Sequence, residues 1–295
     1  MQKTGAKLLD GWQLRYIYFI DPSYRQRLTV PEIPFSRIDE MGAGMYKAKK
    51  SRWPKGAAEN TRADRLTANR PLLAIMNPEL TMTLPPYQIA CGATDILAHI
   101  MERYFTNEPD VDLTDRLCEG TMQAVIRAAR VMVKEPHDYD AAAQLMWAST
   151  IAHNDTLSVG RVKDFASHQI EHELSAFYDC AHGAGLAVIL PAWMEYVLPH
   201  DPVRLAQFAV RVFGCEMNFA DPEATARQGI EKLCLFFHSL GMPITFDELG
   251  AKAKDIPDMV AHRAEKPGGF PFGGFVKIQP ADMEAILRLA AGEAQ

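Results

Sequence analysis

The chain has 295 residues, 48% of them apolar and 23% charged, and carries a net charge of −6. That composition excludes a disordered chain and a fibrous repeat, and the length accommodates one large domain or two ordinary ones. No apolar run reaches the roughly 18 residues of a membrane span, the best candidate, around Leu186 to Trp193, being broken by Pro191.

Residues 1–70 hold 14 Lys/Arg against 7 Asp/Glu, and the remainder 17 against 30. Such an asymmetry can mark a basic nucleic-acid arm, but no folded recognition module accompanies it. The Lys47 to Lys55 cluster therefore reads as a solvated face, and no nucleic-acid partner is expected. Met1 to Tyr18 lacks the apolar core of a signal peptide, so the chain is expected to be cytoplasmic, with no membrane partner. The one strand-like stretch in this part is Leu14 to Ile20.

The pattern changes at Pro71. Leu72 to Met76 reads as a short buried strand, and segments of helical apolar spacing follow almost without a break. The predicted helices are Pro86 to Phe105, Asp112 to Lys134, Tyr139 to Leu157, Phe165 to Phe177, Gly183 to Val197, Pro202 to Phe213, Pro222 to Leu240 and Pro280 to Ala291. Prolines at several starts and Gly241 after one end are the expected punctuation. The cysteines Cys91, Cys118, Cys180, Cys215 and Cys234 are odd in number and contain no C-x-x-C pair, so they read as reduced thiols.

Two features carry chemistry. Asp95 and His99 are four residues apart on one predicted helix, so both side chains project from one face toward a shared ion. His168 and His172 repeat that spacing on a later helix, and His182 stands just before Gly183 at the start of the next. Three imidazoles and one carboxylate form a borderline-soft N3O set, suited to Fe(2+) or Zn(2+) rather than to calcium or magnesium. Each His pair alone is a weak signal.

The surrounding text is more specific. Ala74-Ile75-Met76-Asn77-Pro78, then Pro85, Gly92-Ala93-Thr94-Asp95-Ile96-Leu97 and Glu102, resembles the first signature of the iron-containing (group III) alcohol dehydrogenases, in their butanol-dehydrogenase-like branch. His168 to Ala176, then His182-Gly183-Ala184-Gly185, Pro191 and Tyr196, resembles the second. Further similarity at Gly268-Gly269-Phe270 and from Phe275 to Ile286 extends the resemblance over about residues 71–295.

The resemblance implies a mainly α fold over residues 71–295, an all-helical metal-binding domain. Residues 1–70 are a non-family or remnant segment. By position, Asp95, His99, His168 and His182 hold the metal, while His172 is not a ligand but faces nicotinamide and substrate, relaying a proton or orienting the reacting groups. Asn77, Ser175, His153 and Asp155 depart from the family pattern; the last two read as local tuning, with an additional metal ligand as the sharper alternative.

The family's α/β nucleotide-binding domain carries a Gly-Gly-Gly-Ser loop for the pyrophosphate. Residues 1–70 hold no such loop, Gly42-Ala43-Gly44 being too short, so that domain is expected to be truncated or absent. The expected reaction is hydride transfer between NADP(H) or NAD(H) and primary alcohols or aldehydes, by a homodimer. The alternative is a catalytically inert metal-binding helical fragment that associates with an intact partner. A helical phosphohydrolase is a rival, but both His-Asp dipeptides, His137-Asp138 and His200-Asp201, fall in predicted loops.

Overall fold

Aspartates and prolines set where the helices begin. The computed structural model describes residues 17–19 and 73–293, with side chains from residue 76 onward. The chain divides into two compact units, Met1–Thr81 and Met82–Gln295.

In the first unit, strands β1 (Ile17–Phe19) and β2 (Leu73–Ile75) pair antiparallel, with Tyr18 opposite Ala74. A 3-10 turn, Pro78–Thr81, follows. Gly42 to Gly44 and the basic cluster lie outside the described residues.

The second unit is helical among its described residues: α1 (Pro86–Tyr104), α2 (Asp112–Met132), α3 (Tyr139–His153), α4 (Ala166–Tyr178), α5 (His182–Val197), α6 (Pro202–Phe213), α7 (Pro222–Ser239), a single turn α8 (Phe246–Leu249), α9 (Ile256–Glu265) and α10 (Pro280–Ala290). The fold is thus mainly α, as the sequence implies. Asp138, Asp201, Asp221 and Thr245 cap their helices by accepting from a backbone N–H three residues on, each worth about 1 kcal/mol. Pro86, Pro202, Pro222 and Pro280 occupy first-turn positions, where no backbone donor is needed.

Helix α5 is apolar on all sides and buries residues from Gly183 to Met194 without interruption. It packs against α1, α4 and α10, which makes it the spine of the unit. Phe105, just past the end of α1, meets the rings of Trp193, Phe208 and Phe275 at centroid distances of 5.5, 5.7 and 6.0 Å. Beside it, the Arg204 guanidinium lies 4.2 Å from the Tyr104 ring centroid and bonds the Asp115 carboxylate, which also accepts from Arg161 at 2.9 Å. These contacts fix α1, which carries half of the candidate site.

Three helices differ from expectation, the single turn α8 among them, which no predicted helix covers. The predicted Tyr139 to Leu157 helix stops at His153, because the Asn154 carboxamide accepts from the Thr156 N–H and Asp155 takes a left-handed φ of 66°. A separate 3-10 turn, Thr156–Ser158, follows. Helix α9 was not foreseen, since it buries only Ile256, Met259 and Arg263 and shows little apolar periodicity.

Candidate metal centre

Helix α1 presents Asp95 and, one turn later, His99; α4 contributes His168 from its first turn, and α5 begins with His182. The three imidazoles converge on one oxygen. Asp95 Oδ1 lies 3.6 Å from His99 Nε2, 3.6 Å from His168 Nε2 and 3.5 Å from His182 Nε2. Donors held about 2.1 Å from a tetrahedral ion stand about 3.4 Å apart, so three of the six edges of such a site are already near length. Asp95 Oδ1 and His168 Nε2 are buried and have no hydrogen-bond partner. Such atoms are costly to bury unless something else satisfies them, and a cation between them does so.

The far sides of the His168 and His182 rings are held as metal-binding imidazoles require. His168 Nδ1 lies 2.9 Å from Glu102 Oε1, which also accepts from the His168 N–H at 3.1 Å and from the Ser167 hydroxyl. His182 Nδ1 donates to Glu171 Oε2, while the Ser175 hydroxyl donates to Glu171 Oε1 at 2.5 Å. Both Nε2 atoms are thereby turned inward. The entry to α4 is pinned to α1: the Asp164 N–H donates to Glu102 O at 2.8 Å, and the Asp164 carboxylate accepts from Ala166, Gly274 and Phe275 N–H groups.

The Gly-Ala-Gly run after His182 has a packing explanation. A Cβ on Gly183 would fall 2.1 Å from Cys91 O on α1, and one on Gly185 would fall 2.4 Å from Glu171 Oε1. The first glycine lets α5 touch the α1 backbone, one turn before Asp95. The second leaves room for the carboxylate that orients His182.

Electrostatics suit a cation. Burial alone would push the Asp95 carboxyl up, but His168, His99 and His182 overcome it and hold Asp95 below the usual carboxylate range. Burial drives His99 down to about 2 despite Asp95, so its ring is neutral. His168 is buried too, yet Asp95 and Glu102 on either side push it up to about 9. A proton and a metal ion thus compete for the same nitrogen.

His172 lies one turn beyond His168, with its ring stacked on His182 at 5.5 Å and 28° and its rim open to solvent. Burial of the rest of the ring lowers its pKa; Glu171 opposes that, and His182 and His168 add to it. Ligand atoms of Glu171, His172 and His182 also lie within 4.8 Å of one another. Glu171 is already engaged with His182 Nδ1, so it serves to orient that ring.

Sequence reasoning gave no role to Glu102, Glu171, Ser167 or Ser175. A signal existed for two of them: Glu102 lies two turns after Asp95 on the same face, and Glu171 three residues after His168. Asp155 pairs with Lys163 and lies 3.7 Å from Arg103, away from the donor set, whereas His153 stands beside it. Burial pushes the Cys91 and Cys118 thiols up to about 11 and about 12, which keeps both protonated and unreactive at neutral pH. Asp138 and Asp201, the acids of the two His-Asp dipeptides, are used as helix caps.

Fold and sequence together fix the class. The chain belongs to the iron-containing alcohol dehydrogenase family: the family model "Fe-containing alcohol dehydrogenase family, C-terminal" matches residues 89–291. Among relatives, NADH-dependent butanol dehydrogenase A of Clostridium acetobutylicum is 34% identical over 221 residues, covering 75% of this chain and 56% of the relative. The NADPH-dependent aldehyde reductase of Escherichia coli is 32% identical over 221 residues, covering 75% and 55%. The crystal structure of NADH-dependent butanol dehydrogenase A from Thermotoga maritima superposes with a TM-score of 0.68 at 37% identity, over 72% of this chain and 55% of that one. The substrate- and cofactor-free E. coli aldehyde reductase gives 0.71 at 31% identity, over 75% and 57%. The chain spans about half the length of the curated relatives it matches. No described helix is long and apolar enough to cross a membrane.

Proposed function

We propose that this chain holds one Fe(2+) or Zn(2+) ion on Asp95, His99, His168 and His182 and takes part in the NAD(P)H-dependent interconversion of primary alcohols and aldehydes. The observation that carries the reading is the buried, unpartnered Asp95 Oδ1 with three imidazole nitrogens at 3.5 to 3.6 Å. Bound there, the ion supplies Lewis acidity toward a substrate oxygen.

The chain's own residues set the conditions for that chemistry. With a single carboxylate among the donors, the site keeps net positive charge. Glu102 and Glu171 hold His168 and His182 in the tautomer that leaves Nε2 free. His172 stands outside the donor set with a lowered pKa and an exposed rim. Its neutral ring can pass a proton between solvent and the substrate oxygen. Both NADH-dependent and NADPH-dependent relatives occur, and the proposal carries both cofactors.

The rival reading is a catalytically inert metal-binding fragment that associates with an intact partner. Oxidation of NADH and of NADPH by butanal, followed with metal-loaded protein and with Asp95→Ala, separates the two. Turnover that vanishes in Asp95→Ala supports the dehydrogenase. Metal binding without turnover supports the fragment, and turnover unchanged in Asp95→Ala contradicts the assigned site.

A further inference from the structure

Helix α3 ends on His153, and its ring lies beside the donor set. Its Nε2 lies 3.9 Å from Asp95 Oδ2, whereas the three assigned imidazoles are paired with Oδ1. The ring packs on His99 with centroids 4.0 Å apart and planes at 50°.

The tautomer follows from geometry. His153 Nδ1 lies 2.7 Å from the Ser149 carbonyl, which can only accept, so Nδ1 carries the hydrogen. In the neutral ring the lone pair is then on Nε2, the atom facing Asp95. This is the arrangement of a metal-binding imidazole, with one nitrogen donating to a backbone carbonyl and the other free. The side chain is 34% exposed, and the backbone leaves the helix at Asn154.

Resting on the metal centre proposed above, we infer that His153 is a fifth protein donor to the ion, making the site N4O. An ion of this class, most often four-coordinate, can expand to five donors. With this donor the site would hold metal more tightly than four donors do.

The test is cobalt(II) substitution of the full chain, comparing wild type with His153→Ala and His153→Gln. The visible bands of cobalt are weak when it is six-coordinate, intermediate when five-coordinate and intense when tetrahedral. Wild type is expected to show weaker bands than either variant, with cobalt and zinc affinity of the variants lowered about tenfold or more. Thermal melts of the metal-free proteins should coincide, because the residue lies at a helix end and is partly exposed. Matching spectra and affinities in wild type and both variants would overturn the inference while leaving the four-ligand centre intact. If wild type itself bound no stoichiometric cobalt, the centre and this inference would fall together.

Discussion

Gly183→Ala tests whether helix packing sets the metal geometry. The added Cβ would lie 2.1 Å from Cys91 O and 2.6 Å from Cys91 Cα, both backbone atoms that cannot rotate aside. Carbon and oxygen need more than 3 Å, so α5 must withdraw from α1 by roughly 1 Å. His182 opens α5 and Asp95 lies one turn past Cys91, so the displacement falls directly on the 3.5 Å Asp95–His182 edge. Metal sites tolerate about 0.2 Å in ligand distance, and even loss of a ring-orienting partner costs about 10- to 100-fold in affinity. The variant should therefore bind zinc at least about 100-fold more weakly, and overpacking should cost about 1–3 kcal/mol of stability. Competition against a chromophoric chelator measures the first and denaturant melts the second. Gly120→Ala is the control, since a Cβ there meets nothing within 4 Å and removal of a helical glycine should stabilise by about 0.5–1 kcal/mol. Zinc affinity of Gly183→Ala within threefold of wild type would refute the reasoning.

Other substitutions separate the layers of the account. Glu171→Gln keeps the shape but removes the charge that accepts from His182 Nδ1; zinc affinity should drop about 10-fold or more, and an unchanged chelator titration would count against an orienting role. His172→Ala should leave metal content intact while lowering turnover, so loss of the ion in this variant would mean that His172 is a ligand. Arg204→Met strands the buried Asp115 carboxylate with Arg161 and Gln207 and removes the stack on Tyr104. Breaking such a buried pair costs about 3–5 kcal/mol, read from urea unfolding, and a loss under about 1 kcal/mol would show the network to be dispensable.

Local regularities in the sequence made much of this legible. The Asp95/His99 pair is readable because helical spacing puts both on one face, and capping aspartates with first-turn prolines mark several helix starts within a residue. Other features depend on contacts the sequence does not advertise. His153 meets His99 only because α3 docks beside α1, so a lone histidine at a helix end read as local tuning. The α3 end depended on an Asn154 side chain competing for backbone donors, which apolar periodicity does not register. Helix α9 was missed because it buries too few apolar side chains to show a period. The β1–β2 pairing spans more than fifty residues and has no local signature. The Gly183 and Gly185 contacts are likewise tertiary: the letters mark a motif, and only the approach of α1 and Glu171 explains it.

The most direct test of the central claim is metal content of anaerobically purified protein, for wild type, Asp95→Ala and His182→Ala side by side. Each variant removes one of the four assigned donors; Asp95→Ala also removes the carboxylate that faces the three imidazoles, whereas His182→Ala leaves it in place. The account predicts about one ion of iron or zinc per wild-type chain and almost none in either variant after dialysis against a chelator. Full metal content retained by both variants would contradict it.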